Sequence, residues 1–87
     1  MRNQNRKASR EILWRLSSNV KRLRKSRGYT QQELANRCGL SKTYISNVEQ
    51  GTVNISLASL EVLAIGLGCS EADLVRRPWP GNVPEEP

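Results

Sequence analysis

Apolar residues in the first third of the chain fall into a helical rhythm. Leu13, Leu16, Val20 and Leu23 recur at spacings of 3, 4 and 3, one stripe on a helix that runs from Ser9. Gly28, free to take positive φ, stops it. Upstream, residues 1–8 are polar and basic with no apolar anchor, and are expected as a flexible arm. Thr30-Gln31-Gln32-Glu33 has the form of a capping box, in which Thr30 accepts from the amide three residues on and Glu33 reaches back. The short helix it opens turns Leu34, Ala35 and Cys38 inward and ends at Gly39. Ser41 offers the next N-cap oxygen, to a helix over residues 42–49 with Ile45 and Val48 inward and Gly51 as its stop.

After a loop over residues 52–55, Ser56 caps a fourth helix. Its apolar residues Leu57, Leu60, Leu63, Ala64 and Leu67 follow the same helical spacing as far as Gly68. Ser70-Glu71-Ala72-Asp73 forms a second, weaker capping box over a last turn or two through Leu74 and Val75. Pro78, Pro80, Pro84 and Pro87 keep the tail, residues 78–87, out of a helix. No strand-period alternation of useful length occurs. The pattern predicts an all-α domain of five helices over residues 9–77.

Charge changes the picture more than composition does. The chain of 87 residues carries a formal net charge of +6, unevenly spread. Residues 1–42 hold twelve Lys and Arg against Glu11 and Glu33, a net +10, whereas residues 43–87 hold Arg76 and Arg77 against six acids, a net −4. Such a dipolar domain draws a polyanion to one side, and nucleic acid is the first candidate. The absence of histidine removes the commonest general base and metal ligand, so no enzyme is expected. Two cysteines thirty-one positions apart, Cys38 and Cys69, exclude a closed zinc site and are expected as reduced, buried thiols. No cofactor is implied. No apolar run approaches a membrane span, and no signal-like apolar segment follows the basic start. A soluble cytoplasmic protein is expected. Gly66-Leu67-Gly68 has no preceding strand to make it a nucleotide loop, so it marks a helix end.

Two short helices joined by Cys38-Gly39-Leu40-Ser41 are what a DNA-binding helix-turn-helix requires. Leu34, Ala35, Leu40, Ile45 and Val48 are small or aliphatic, as close helix packing demands. Lys42, Thr43, Ser46 and Asn47 are long or polar and face outward. Lys42 can donate to guanine O6 or N7, Asn47 can pair bidentately with adenine, and the Thr43 methyl can touch a thymine methyl.

The run from Thr30 through Gln31-Gln32-Glu33-Leu34-Ala35, Cys38-Gly39-Leu40-Ser41 and Tyr44-Ile45-Ser46-Asn47-Val48 to Glu49-Gln50-Gly51 resembles the Cro and phage-repressor helix-turn-helix, the Xre family. The likeness covers roughly residues 16–75. Thr43-Tyr44-Ile45-Ser46, Glu49-Gln50-Gly51 and Asn54-Ile55-Ser56-Leu57 are most similar to restriction-modification controller proteins, with phage repressors and antitoxins as alternatives of the same fold. The resemblance implies a lambda-repressor-like domain that binds a palindromic double-stranded operator as a homodimer, regulates transcription, and sits in the cytoplasm on the nucleoid. Contact with RNA polymerase would accompany activation. Lys42, Thr43, Ser46 and Asn47 would enter the major groove, and Gln31 would bind a phosphate or brace a recognition side chain. Arg24 and Glu49 would form a structural ion pair. Helix-start amides near Gln31 and Ser56, with Ser41, would face phosphates. Arg37 would lie near the backbone or be merely solvated, and Tyr44 would touch a phosphate or pad the turn. Ile55, the far side of the fourth helix, Leu74 and Val75 would form the dimer contact, with Trp79 folding back on it. A protein-interaction module that has lost DNA binding is the rival from another class.

Overall fold

A computed structural model of the chain describes residues 2–77. Among them are five helices and no strand: α1 (Arg2–Ser26), α2 (Gln31–Cys38), α3 (Lys42–Gln50), α4 (Leu57–Leu67) and α5 (Glu71–Val75). Four of the five starts carry the caps expected from the sequence. Thr30, Ser41, Ser56 and Ser70 each accept from the backbone amide three residues on, and both capping boxes close, through Glu33 and Asp73. Glycines 39, 51 and 68 end α2, α3 and α4 in the left-handed conformation.

The first helix differs from expectation. It begins at Arg2, so the segment expected as an arm continues the helix instead. Nucleation is the costly step of helix formation, and each added residue then gains a hydrogen bond. Ala, Arg, Lys and Gln, which supply most of residues 2–8, are good helix formers that extend an existing rod at little cost. The proline-rich tail, residues 78–87, and Trp79 within it lie outside the described residues.

The core is one cluster drawn from every helix. Leu16 and Val20 of α1, Leu34 and Ala35 of α2, Ile45 and Val48 of α3, Leu63, Ala64 and Leu67 of α4, and Leu74 of α5 are all buried. Asn19 is fully buried among them. Its amide donates to the carbonyls of Leu74 (3.0 Å) and Arg76 (2.8 Å), which docks the end of α5 onto α1. Gly66-Leu67-Gly68 marks the end of α4 as expected, and Gly66, buried in its last turn, stands where a Cβ would collide with the Cys38 thiol; its bareness lets α2 lie close on α4. Both thiols are free and half-buried, and burial pushes Cys38 and Cys69 above their ordinary pKa.

Candidate nucleic-acid interface

The turn that aims α3 is set by backbone chemistry. Gly39 takes φ 68°, and the Leu40 amide donates to the Ala35 carbonyl at 2.9 Å, closing the end of α2. Two residues later the Ser41 hydroxyl accepts from the Tyr44 amide at 3.0 Å and starts α3. Ile45 and Val48 then lock one face of α3 into the core. The opposite face carries Lys42, Thr43, Ser46, Asn47 and Gln50, spaced so that they form a single stripe. Lys42, Thr43 and Gln50 are exposed; Ser46 and Asn47 are half-buried. Gln50 was not among the residues expected to read bases, although it lies one turn beyond Ser46 and its amide donates to the Ser46 hydroxyl at 3.1 Å.

A buried charge pair fixes the far end of the same helix. Arg24 grips Glu49 bidentately, Nε on Oε2 and Nη2 on Oε1, with side-chain exposures of 11% and 2%. The guanidinium also donates to the Tyr29 carbonyl at 2.8 Å. The hydrogen bond to Glu49 raises the Arg24 pKa against the opposing effect of burial, so the guanidinium keeps its charge. Gln31, the first residue of α2, adds an amide donor to Glu49 Oε1 at 3.0 Å. Gln31 thereby braces the ion pair under α3. One carboxylate ties three helices together.

The remaining expected residues are scattered. Ser41 and Ser56 both act as N-caps, and the Ser56 hydroxyl also donates to Ser59 Oγ at 3.1 Å. Tyr44 is half-buried and packs against the core beside the turn. Arg37, expected near the DNA backbone, has partners within the chain. Its Nε donates to the Gly66 carbonyl at 3.0 Å and its guanidinium lies 4.7 Å from the centre of the Tyr29 ring. A cation at the C-terminal carbonyls of α4 is favoured by the helix dipole, and Arg27 does the same at Leu67. Of the residues expected at the dimer contact, Leu74 has no exposed surface, because α5 packs onto α1 and α4; it belongs to the core. Ile55 and Val75 are half-buried and share an apolar cleft with Ile12, Leu13, Leu57 and Leu60.

The family model described as helix-turn-helix matches residues 20–74. The chain belongs to the helix-turn-helix family. This is the Xre-type family of DNA-binding transcription regulators, which are not enzymes. A hypothetical transcription factor of Neisseria meningitidis is 40% identical over 63 residues, 72% of this chain and 59% of that one, so the chain spans about three-fifths of that relative's length. The control protein C.BamHI of Bacillus amyloliquefaciens is 37% identical over 68 residues, 77% of this chain and 84% of that one. Among solved structures, the tetramer of the restriction-modification controller protein C.Esp1396I, in complex with its natural 35 base-pair operator, superposes with a TM-score of 0.68 at 35% identity, covering 72% of this chain and 83% of that one. This helix-turn-helix protein thus shares its fold with a controller seen on DNA. No helix among its described residues is long and apolar enough to cross a membrane.

Proposed function

We infer that the chain is a sequence-specific regulator of the controller type that occupies a two-fold operator as a homodimer. The observation that carries this reading is the stripe on α3: five polar side chains on a short helix whose two ends are pinned, one by the Ser41 cap and one by the Glu49 ion pair. Lys42, Thr43, Ser46 and Asn47 read base edges in the major groove, and Gln50 holds the Ser46 hydroxyl in place. The free amides at the starts of α2 and α3, with Ser41, receive phosphates. Tyr44 pads the turn, and Ser56 serves α4 as its cap.

The apolar cleft of Ile55, Leu57, Leu60 and Val75 is the dimer surface that supports the reading best. A two-fold dimer places two recognition helices about 34 Å apart, one helical turn of the duplex. The tetramer of the related controller on its operator suggests two such dimers side by side, occluding a promoter or touching RNA polymerase from an upstream site in the cytoplasmic nucleoid. Selection of bound duplexes from a random pool, followed by sequencing, tests the reading. A two-fold motif with half-sites about ten base pairs apart is expected; recovery of unselected sequence would sink it. Sedimentation at micromolar concentration should give a dimer.

A further inference from the structure

The polar stripe of α3 continues into a groove between α3 and α1. Gln50 stands at its edge, and α1 lines the other wall with Trp14, Ser18, Lys21 and Lys25. Positions 14, 18, 21 and 25 are spaced 4, 3 and 4, so they form a second stripe on α1, distinct from the buried one of Leu16 and Val20. The groove encloses about 410 Å³.

Its chemistry is that of a polyanion site. Glu49 is the one carboxylate on the groove, and it is already held by Arg24 and Gln31. Lys21 and Lys25 are exposed and have no ion-pair partner among the described residues. Trp14 is 56% exposed. Of the three other large apolar residues exposed among the described residues, Ile12 and Leu57 line the apolar cleft and Ile65 lies on α4, whereas Trp14 stands among lysines and serines. An apolar partner would find one ring there and a field of charge. A nucleic-acid backbone would find two ammonium groups for phosphates, an indole N–H donor and a flat ring for a deoxyribose.

We propose that this α1 groove is a second DNA contact, gripping the sugar-phosphate ridge beside the major groove that α3 enters. The proposal rests on the reading of α3 as the recognition helix. The major groove is about 12 Å wide, so a helix seated in it leaves an element packed on its flank facing a phosphate ridge. The wall of α1 is that element, because α1 packs on α3 at Glu49 and Gln50.

Fluorescence anisotropy over a series of salt concentrations tests it, with the duplex recovered by selection and a scrambled duplex of equal length. Lys21→Ala with Lys25→Ala should make the slope of log K on log salt shallower by about 1.8, two contacts at about 0.9 each. Affinity should fall by the same factor on both duplexes, and Lys21→Arg with Lys25→Arg should restore the slope. In a chain carrying Trp79→Phe, saturating duplex should shift the Trp14 emission. An unchanged salt slope, or a Trp14 spectrum unmoved by DNA, overturns the proposal and would leave the groove to a protein partner. Wild-type chain that binds neither duplex would overturn the α3 reading as well. Loss of sequence discrimination in Asn47→Ala beside an unchanged slope in the lysine variant would overturn the groove alone.

Discussion

Helices α3 and α4 start and stop in the same way. Each has a serine N-cap whose hydroxyl accepts from the third amide, and each ends on a left-handed glycine. Each buries aliphatic side chains, Ile45 and Val48 in one, Leu63, Ala64 and Leu67 in the other. Their outward faces are opposites. That of α3 presents Lys42, Thr43 and Gln50, while α4 exposes Leu57 (83%) and Ile65 (70%). Caps and inward positions decide where a rod lies; the outward chemistry decides what touches it. Amines, hydroxyls and amides suit a phosphate and base surface, whereas bare aliphatic side chains lower their free energy only by leaving water against another protein surface.

The largest difference between the two helices is the ion pair at the end of α3, which α4 has no equivalent of. Glu49→Ala leaves the Arg24 guanidinium buried without its carboxylate, and a loss of about 3–5 kcal/mol is expected from urea unfolding. A loss below about 1 kcal/mol would show that water already solvates the pair. Next in size is the outward face of α4. Leu57→Lys should leave the monomer folded, since Leu57 contributes nothing to its core, yet weaken dimerisation by about 1.5–3 kcal/mol per copy of lost apolar burial, read by sedimentation. Asn47→Ala should do the reverse, leaving the dimer intact and removing about 1–3 kcal/mol of discrimination between selected and scrambled duplexes in gel shifts. A variant of either helix that moved both readouts together would erase the distinction between the two faces.

The two serine caps differ on a smaller scale. Ser41→Ala and Ser56→Ala remove the same hydrogen bond and should each cost about 1 kcal/mol in unfolding experiments. Only Ser41→Ala should also weaken DNA binding, because it loosens the end of α3 that carries Lys42 and Thr43. Equal losses of DNA affinity in both variants would mean that α4 approaches the duplex as closely as α3.

Local devices were legible in the sequence, whereas of the long-range ones only the Arg24–Glu49 pair was, through the family resemblance. Four caps and the glycine ends depend on residues three or four apart, so their chemistry is written in short strings such as Thr30-Gln31-Gln32-Glu33. The stripe on α3 follows from the same short spacing. Leu57 fits the apolar rhythm of α4 but is its first residue, where no other helix covers it. Leu74 has the opposite fate: five residues of α5 look too short to build a core, but docking on α1 and α4 buries Leu74 completely. Asn19, Arg27 and Arg37 look like solvated helix residues, and each is instead spent on a carbonyl 29 to 57 positions away. No periodicity encodes such pairings, since the acceptor is a backbone group that every residue has. Lys42 and Arg37 are equally basic in the sequence; only the fold reveals that Arg37 already has partners.

The smallest effect separates α5 from both α3 and α4. Its capping box alone among these three relies on a carboxylate. Asp73 accepts from the Ser70 amide at 3.1 Å, and this hydrogen bond, with the Ser70 hydroxyl and Arg76, holds its pKa below the ordinary 3.8. A carboxyl whose pKa is depressed by folding stabilises the native state above its unfolded value, and that contribution disappears as pH falls through the folded value. Amide exchange in α5 should therefore quicken relative to that in α3 and α4 once the pH drops below about 3.8, since Ser41 and Ser56 carry no titrating oxygen. Asp73→Asn should abolish that difference between the helices. Parallel acceleration in all three would assign the acid response to the whole domain and not to the cap.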